Sequence, residues 1–282
     1  MTENPASWPY GRLSKLKKLC VKYDGNIYAS LSRVAGFFHL PSLQIFEAER
    51  IVDEDLDCLQ GWTCPMGSSS VTAIKLLDCS LSVPRLQALV GSCNRLTSLT
   101  SEFTDSSERS VYRTSDLFEV LTPHKLVLER LALVSILFDP YNNLEPYFWD
   151  SFHDFTALKT LKVEEESLIH DSKAIGHPEY VARRSLLKIL PSSLETLTVI
   201  RCSVLVIPRL LEIAAPDYPF PRLEAIIVDI QGSLDFEKFD LLKVVFALLD
   251  VEFRCTCSDA NSSSRESNEW ITTKDSEEVL EQ

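Results

Sequence analysis

One spacing constrains this chain more than any other feature: apolar-x-x-apolar-x-apolar, restarting every 25 to 36 residues. It reads Leu16/Leu19/Val21, Leu43/Phe46/Ala48, Val71/Ile74/Leu76, Leu96/Leu99/Ser101 and Leu128/Leu131/Leu133. It continues as Leu158/Leu161/Val163, Leu194/Leu197/Val199 and Leu223/Ile226/Val228, with a less regular ninth copy at Leu248/Val251/Phe253. The last two apolar positions of each copy are two residues apart. That is the period of a short strand, whose alternate side chains share a face. Cys79, Ile136 and Cys202 occupy the ninth position, where a small or apolar side chain closes the turn behind the strand.

Between the strands lie segments with helical spacing. The pattern predicts helices over Ile27–Phe38, Pro84–Leu89 (capped by Ser82), Leu117–Leu121 (capped by Ser115 or Asp116) and Leu144–Phe155. Glu179–Leu190, Pro208–Ala214 and Phe236–Leu249 complete the set. A unit of strand, turn, helix and return loop buries its apolar side only against its neighbours, so copies must stack. The expected fold is an α/β solenoid, with parallel strands on the concave side and helices on the convex side.

The clearest copies are LPSSLETLTVIRC (residues 190–202) and SSVTAIKLLDCSL (residues 69–81). On these rungs the sequence resembles an irregular leucine-rich repeat protein, similar to the repeat regions of fungal F-box/LRR proteins, over residues 13–257. The resemblance implies a horseshoe-like right-handed superhelix. It also implies a protein-binding scaffold related to the substrate receptors of SCF-type ubiquitin ligases. Leu190-Pro191 alone resembles the opening of an F-box, but here it reads as the end of a helix that Pro191 stops before the next strand. The first rung starts at Leu16, leaving no room ahead of it for an F-box, so no direct docking to a Skp1-type adaptor is expected. Residues 1–12 form a lead-in. Residues 258–282 form a serine-rich acidic tail, expected to be disordered with Trp270-Ile271 as its sticky spot.

Composition narrows the function. Lys plus Arg is 28 and Asp plus Glu is 41, a net charge of −13, which opposes nonspecific binding to nucleic-acid phosphates. No run reaches the roughly 18 apolar residues of a membrane span, and the first residues have no signal-peptide core. The expected location is cytoplasmic or nuclear, with the eight cysteines reduced. Cys255-x-Cys257 lacks a second ligand pair at zinc spacing. Cys58 and Cys64 flank Trp62 in a loop. His153, His170 and His177, with Asp150, Asp154 and Asp171, are the raw material of acid–base chemistry and motivate one alternative, a hydrolase-like site in residues 141–177. Another alternative is the remnant of a larger F-box receptor. No phosphate loop, GxSxG or HExxH motif is present. The reading is a non-enzymatic chain with no cofactor or metal.

The third, fifth and seventh positions of the rungs point away from the core. They place an apolar strip of Leu77, Val134, Ile200 and Ile227 among Glu47, Glu49, Glu102, Glu164 and Asp229. Clustered apolar groups ringed by acids suggest a site for a protein or peptide that is apolar with basic flanks.

Overall fold

The computed structural model describes residues 13–22, 31–51, 62–103, 114–134, 151–168, 185–215, 219–231 and 237–258. Nine strands form one parallel sheet in chain order: β1 (Lys18–Lys22), β2 (Ile45–Glu49), β3 (Ala73–Leu77), β4 (Ser98–Glu102), β5 (Arg130–Val134), β6 (Thr160–Glu164), β7 (Thr196–Cys202), β8 (Ala225–Gln231) and β9 (Glu252–Ser258). Helices α1 (Val83–Ser92), α2 (Thr114–Leu121), α3 (Glu165–Leu168), α4 (Val206–Ile213) and α5 (Glu237–Ala247) lie between them. Neighbouring strands sit about 4.8 Å apart and packed helices about 8–10 Å apart, so a stack of such units bends with its strands on the inside.

The register follows the spacing. Phe46 pairs with Ile74, Ile74 with Leu99, Leu161 with Leu197 and Leu197 with Ile226. These residues are buried, in one continuous apolar cluster running the length of the sheet. Leu16, Leu19 and Val21 of the first rung are only half-buried. Backbone bonds join each rung to the next: the amides of Gln44, Thr72, Thr97, Glu129, Lys159, Glu195 and Glu224 each donate to the preceding rung at 2.8 Å. Serines one residue ahead of two rungs add staples. Ser42 donates to the Leu16 carbonyl (3.0 Å) and Ser193 to the Leu158 carbonyl (2.8 Å).

The ninth position is buried because the eighth turns left. Arg50, Asp78 and Arg201 have φ of 59°, 51° and 55°, a conformation that swings the next side chain back inside. Ile51, Cys79 and Cys202 fill that place and are buried. The Cys79 thiol donates to the Leu77 carbonyl (3.2 Å) and that of Cys202 to the Val199 carbonyl (3.2 Å). Burial pushes the thiol pKa of Cys79 up to about 11 and that of Cys93 up to about 12, and it raises that of Cys202 as well. All three are inert protonated core groups.

Three sequence expectations change. The ninth rung slides by two residues: Ala225 pairs with Glu252, Ile226 with Phe253 and Val228 with Cys255. Leu248, expected to open it, is 82% exposed. Asp250 takes a left-handed φ of 58°, the Val251 amide still bonds the Phe246 carbonyl (3.0 Å), and Phe253 stacks on Phe246 at 5.7 Å. The strand therefore starts only after that turn. A slide of two preserves which side chains face inward. The second change is at Ser151–Phe155, expected as the end of a helix, which is a run of turns. Its Phe152 and Phe155 are core residues beside Phe118, with centroids 5.1 and 5.8 Å away. Third, the segments around Leu31–His39 and Leu186–Lys188 are 3-10 turns rather than α-helices. Residues 27–30, 144–150, 179–184 and 236 of the expected helices lie outside the described residues, as do the lead-in and residues 259–282 of the expected tail.

His124 is buried between the third and fourth repeats. Its Nδ1 accepts from the Leu96 amide (3.4 Å) and its Nε2 donates to the Val90 carbonyl (3.0 Å). This arrangement requires the neutral ring, and burial lowers its pKa below the ordinary imidazole value, against the opposing pull of the Val90 carbonyl. The unfolded chain takes up a proton first as pH falls, so stability declines below the ordinary imidazole pKa of about 6.5 and levels off only below the folded value. Chemical-denaturation midpoints measured between pH 7.5 and 5 should fall for the native chain, and should fall less for His124→Gln. Equal slopes for the two proteins would remove His124 from this role.

Candidate functional site: the strand face

The outward positions of the nine strands form one surface, built from rungs that the core holds in register. It carries six cations (Lys18, Lys22, Lys75, Arg130, Lys162 and Arg254) and six carboxylates (Glu47, Glu49, Glu102, Glu164, Asp229 and Glu252). The charge of −13 is therefore not concentrated here. The carboxylates expected to attract a partner already have neighbours. Glu47 meets Lys18 (2.8 Å) and accepts from the Cys20 thiol (3.1 Å), and Glu49 meets Lys22 (2.9 Å). Lys162 of β6 reaches across β5 to Glu102 of β4 (2.8 Å), passing the strand where the small Ala132 stands. Glu164 meets Arg201 (2.8 Å), and Asp229 accepts from the Thr256 hydroxyl (3.3 Å). Burial pushes the Glu47 carboxyl up, but the Lys18 ammonium and Cys20 thiol outweigh it, and its pKa ends below the ordinary carboxylate value.

The two halves of the face differ in access. In β5–β7, Val134 is 8% exposed, Ile200 9%, Glu164 6% and Thr198 3%. Val134 and Ile200 point away from the core cluster yet are covered, so they are not the open anchors that their positions suggested. Glu164 is held beneath Arg201, whose backbone bulge in β7 follows directly on Ile200. In β1–β4 the surface is open. Ile45 is 37% exposed, Leu77, Glu47, Glu49 and Glu102 are half-buried, and Lys75 and Cys20 are exposed. Ile227 and Asp229 on β8 are half-buried as well. Ile45, Cys20 and Lys75 stand at outward positions of the spacing but have neither the apolar strip nor the acidic ring to mark them in sequence. Arg201 was signalled only by its place one residue ahead of Cys202.

The other candidates resolve differently. His153 is exposed and its Nε2 bonds the Leu187 carbonyl (3.1 Å), while Asp154 pairs with Lys125 (3.1 Å). Both therefore tie turns of neighbouring repeats together. Asp150, His170, Asp171 and His177 lie outside the described residues, as does Cys58. Cys64 bonds the Ser68 hydroxyl (3.3 Å), and Cys255 packs against the core. No cluster of three or more metal-ligating side chains occurs among the described residues, and no helix there is long and apolar enough to cross a membrane.

Comparison with curated proteins and with solved structures finds no match. A family model of the leucine-rich repeat domain matches residues 4–212. The sheet carries the same ladder beyond that match, through β8 and β9. Such domains generally mediate protein–protein interaction and are typically non-enzymatic scaffolds. With nine parallel rungs in register and the match covering most of its length, the chain belongs to the leucine-rich repeat domain family.

Proposed function

We propose that the chain is a non-enzymatic scaffold that holds a protein segment against the open half of its strand face, β1 to β4. The observation that carries this reading is the contrast in access: Leu77 is half-buried and Ile45 exposed among Glu47, Glu49, Lys75 and Glu102, whereas Val134 and Ile200, which stand in the same row as Leu77, are covered. The ligand segment is apolar where it meets Ile45 and Leu77. Basic flanks would meet carboxylates that already hold Lys18, Lys22 and Lys162, so charge sets encounter rate and register more than affinity. Ile227 and Asp229 form a second, smaller open patch on β8.

The resemblance to F-box/LRR proteins gives this proposal a specific form, the holding of a substrate for modification, without direct Skp1-type docking. A cytoplasmic or nuclear location suits it, because the thiols of Cys79 and Cys202 serve as hydrogen-bond donors, a role that reduced sulfur fills.

The test begins with a partner recovered by affinity purification and then purified. Ile45→Asp/Leu77→Asp should weaken its binding by tenfold or more with an unchanged melting temperature, since neither side chain belongs to the buried cluster. Leu126→Asp, at an exposed site away from the strand face, should leave binding intact. A partner that binds the Ile45/Leu77 double variant with native affinity would refute the site.

A further inference from the structure

The first strand ends the sheet among the described residues, and it does so with its apolar ladder unfinished. Leu16, Leu19 and Val21 are half-buried, whereas the matching residues of the next rung, Leu43, Phe46 and Ala48, are buried. The carbonyl of Lys17 accepts from the amides of Gln44 and Ile45 (2.8 and 3.0 Å). By strand alternation the peptide groups of Leu19 and Val21 also face β2, and those of Lys18, Cys20 and Lys22 face outward along an edge that no other described strand pairs with. The charge here is one-sided. Residues 13–22 contain Lys15, Lys17, Lys18 and Lys22 and no acid, in a chain of net charge −13. All four lysines are exposed.

We propose that this edge binds an extended acidic–apolar segment of a partner protein, which adds a parallel strand beside β1. Main-chain bonds to Lys18, Cys20 and Lys22 would supply the ladder, as in other cases of strand addition to a sheet edge. The side chains set the sequence class. Residues opposite Leu19 and Val21 complete the core rung and are apolar. Residues opposite Lys18 and Lys22 lie on the strand face and are acidic. The ligand pattern is therefore acid-apolar-x-apolar-acid, about 13 Å long at the strand rise. Each acid would extend a row of alternating sign, because Lys18 and Lys22 already lean on Glu47 and Glu49 from the other side. Self-pairing of β1 with a second copy would set lysines against lysines, which disfavours that occupant. Lysines on an edge also deter indiscriminate pairing, and an acidic strand is the kind that they admit.

The experiment uses the full chain and a fluorescent peptide containing Asp-Ile-Thr-Val-Glu, read by anisotropy. The acidic peptide should bind, and more weakly as salt rises. The same peptide with both acids replaced by lysine should bind at least tenfold more weakly. Lys18→Glu/Lys22→Glu should lose at least tenfold for the acidic peptide. Cys20→Pro separates the backbone contribution from the charge: it removes one outward amide from an edge that tolerates proline and should also lose at least tenfold. Circular dichroism should show both variants folded. Absence of binding to the native chain, or a native affinity in Cys20→Pro, overturns the proposal. Self-association of the native chain that Lys18→Glu/Lys22→Glu abolishes would assign the edge to a second copy and overturn it too. Leu77→Ser, a neutral change two strands from β1, should weaken the strand-face partner and leave peptide binding unchanged, so failure here and failure of the strand-face reading are told apart.

Discussion

Leu197→Asp should leave the chain unfolded or nearly so at room temperature. Leu197 is fully buried on β7, inside the ladder, between Leu161 of β6 and Ile226 of β8. The substitution removes a buried apolar side chain and buries a carboxylate with no partner. Together these cost roughly 5 kcal/mol or more, comparable to the whole stability of many domains. The substitution also sits mid-stack, so rungs on both sides lose a neighbour. Thermal unfolding followed by circular dichroism checks it. A variant that kept the native melting temperature would show that position 197 does not face the core.

Phe38→Ala should cost about 3–5 kcal/mol but do its damage at one end. Phe38 is fully buried and packs edge-on against Phe46 (5.0 Å) and Trp62 (5.1 Å). Those contacts join the first two repeats and no later one. In a stack coupled only through neighbours, weakening one end unravels that end first. Hydrogen exchange should therefore speed up over β1–β3 while β6–β8 keep native protection. Uniform acceleration over all nine strands would mean that the sheet melts as one cooperative block.

The strands were legible in the sequence and the segments between them were less so. Alternation within six residues marks a strand face without reference to anything distant, which is why Val71/Ile74/Leu76 and Leu194/Leu197/Val199 fall in the core. The ninth rung misled because Leu248 supplies an apolar residue at the right spacing while the chain is still leaving α5. The turn at Asp250 is a tertiary outcome, fixed by Phe253 stacking on Phe246. Around Phe152 and Leu186, clustered apolar residues read as helix, yet the return path allows only turns. The strand face shows the same division. Its membership follows from the spacing, and its access does not. The Lys162–Glu102 pair links residues 60 apart, and Val134 and Ile200 are covered although they share the place of half-buried Leu77 in the spacing. The acids looked like a binding ring because their cations come from other repeats.

On the proposed function, the open half of the strand face, and not the covered half, holds the partner. Hydrogen–deuterium exchange of the full chain with and without the purified partner tests it most directly. Added protection over residues 45–49, 73–77 and 98–102, with little change over 130–134 and 196–202, is the expected result. Protection confined to 130–134 and 196–202, or absent from all nine strands, would contradict it.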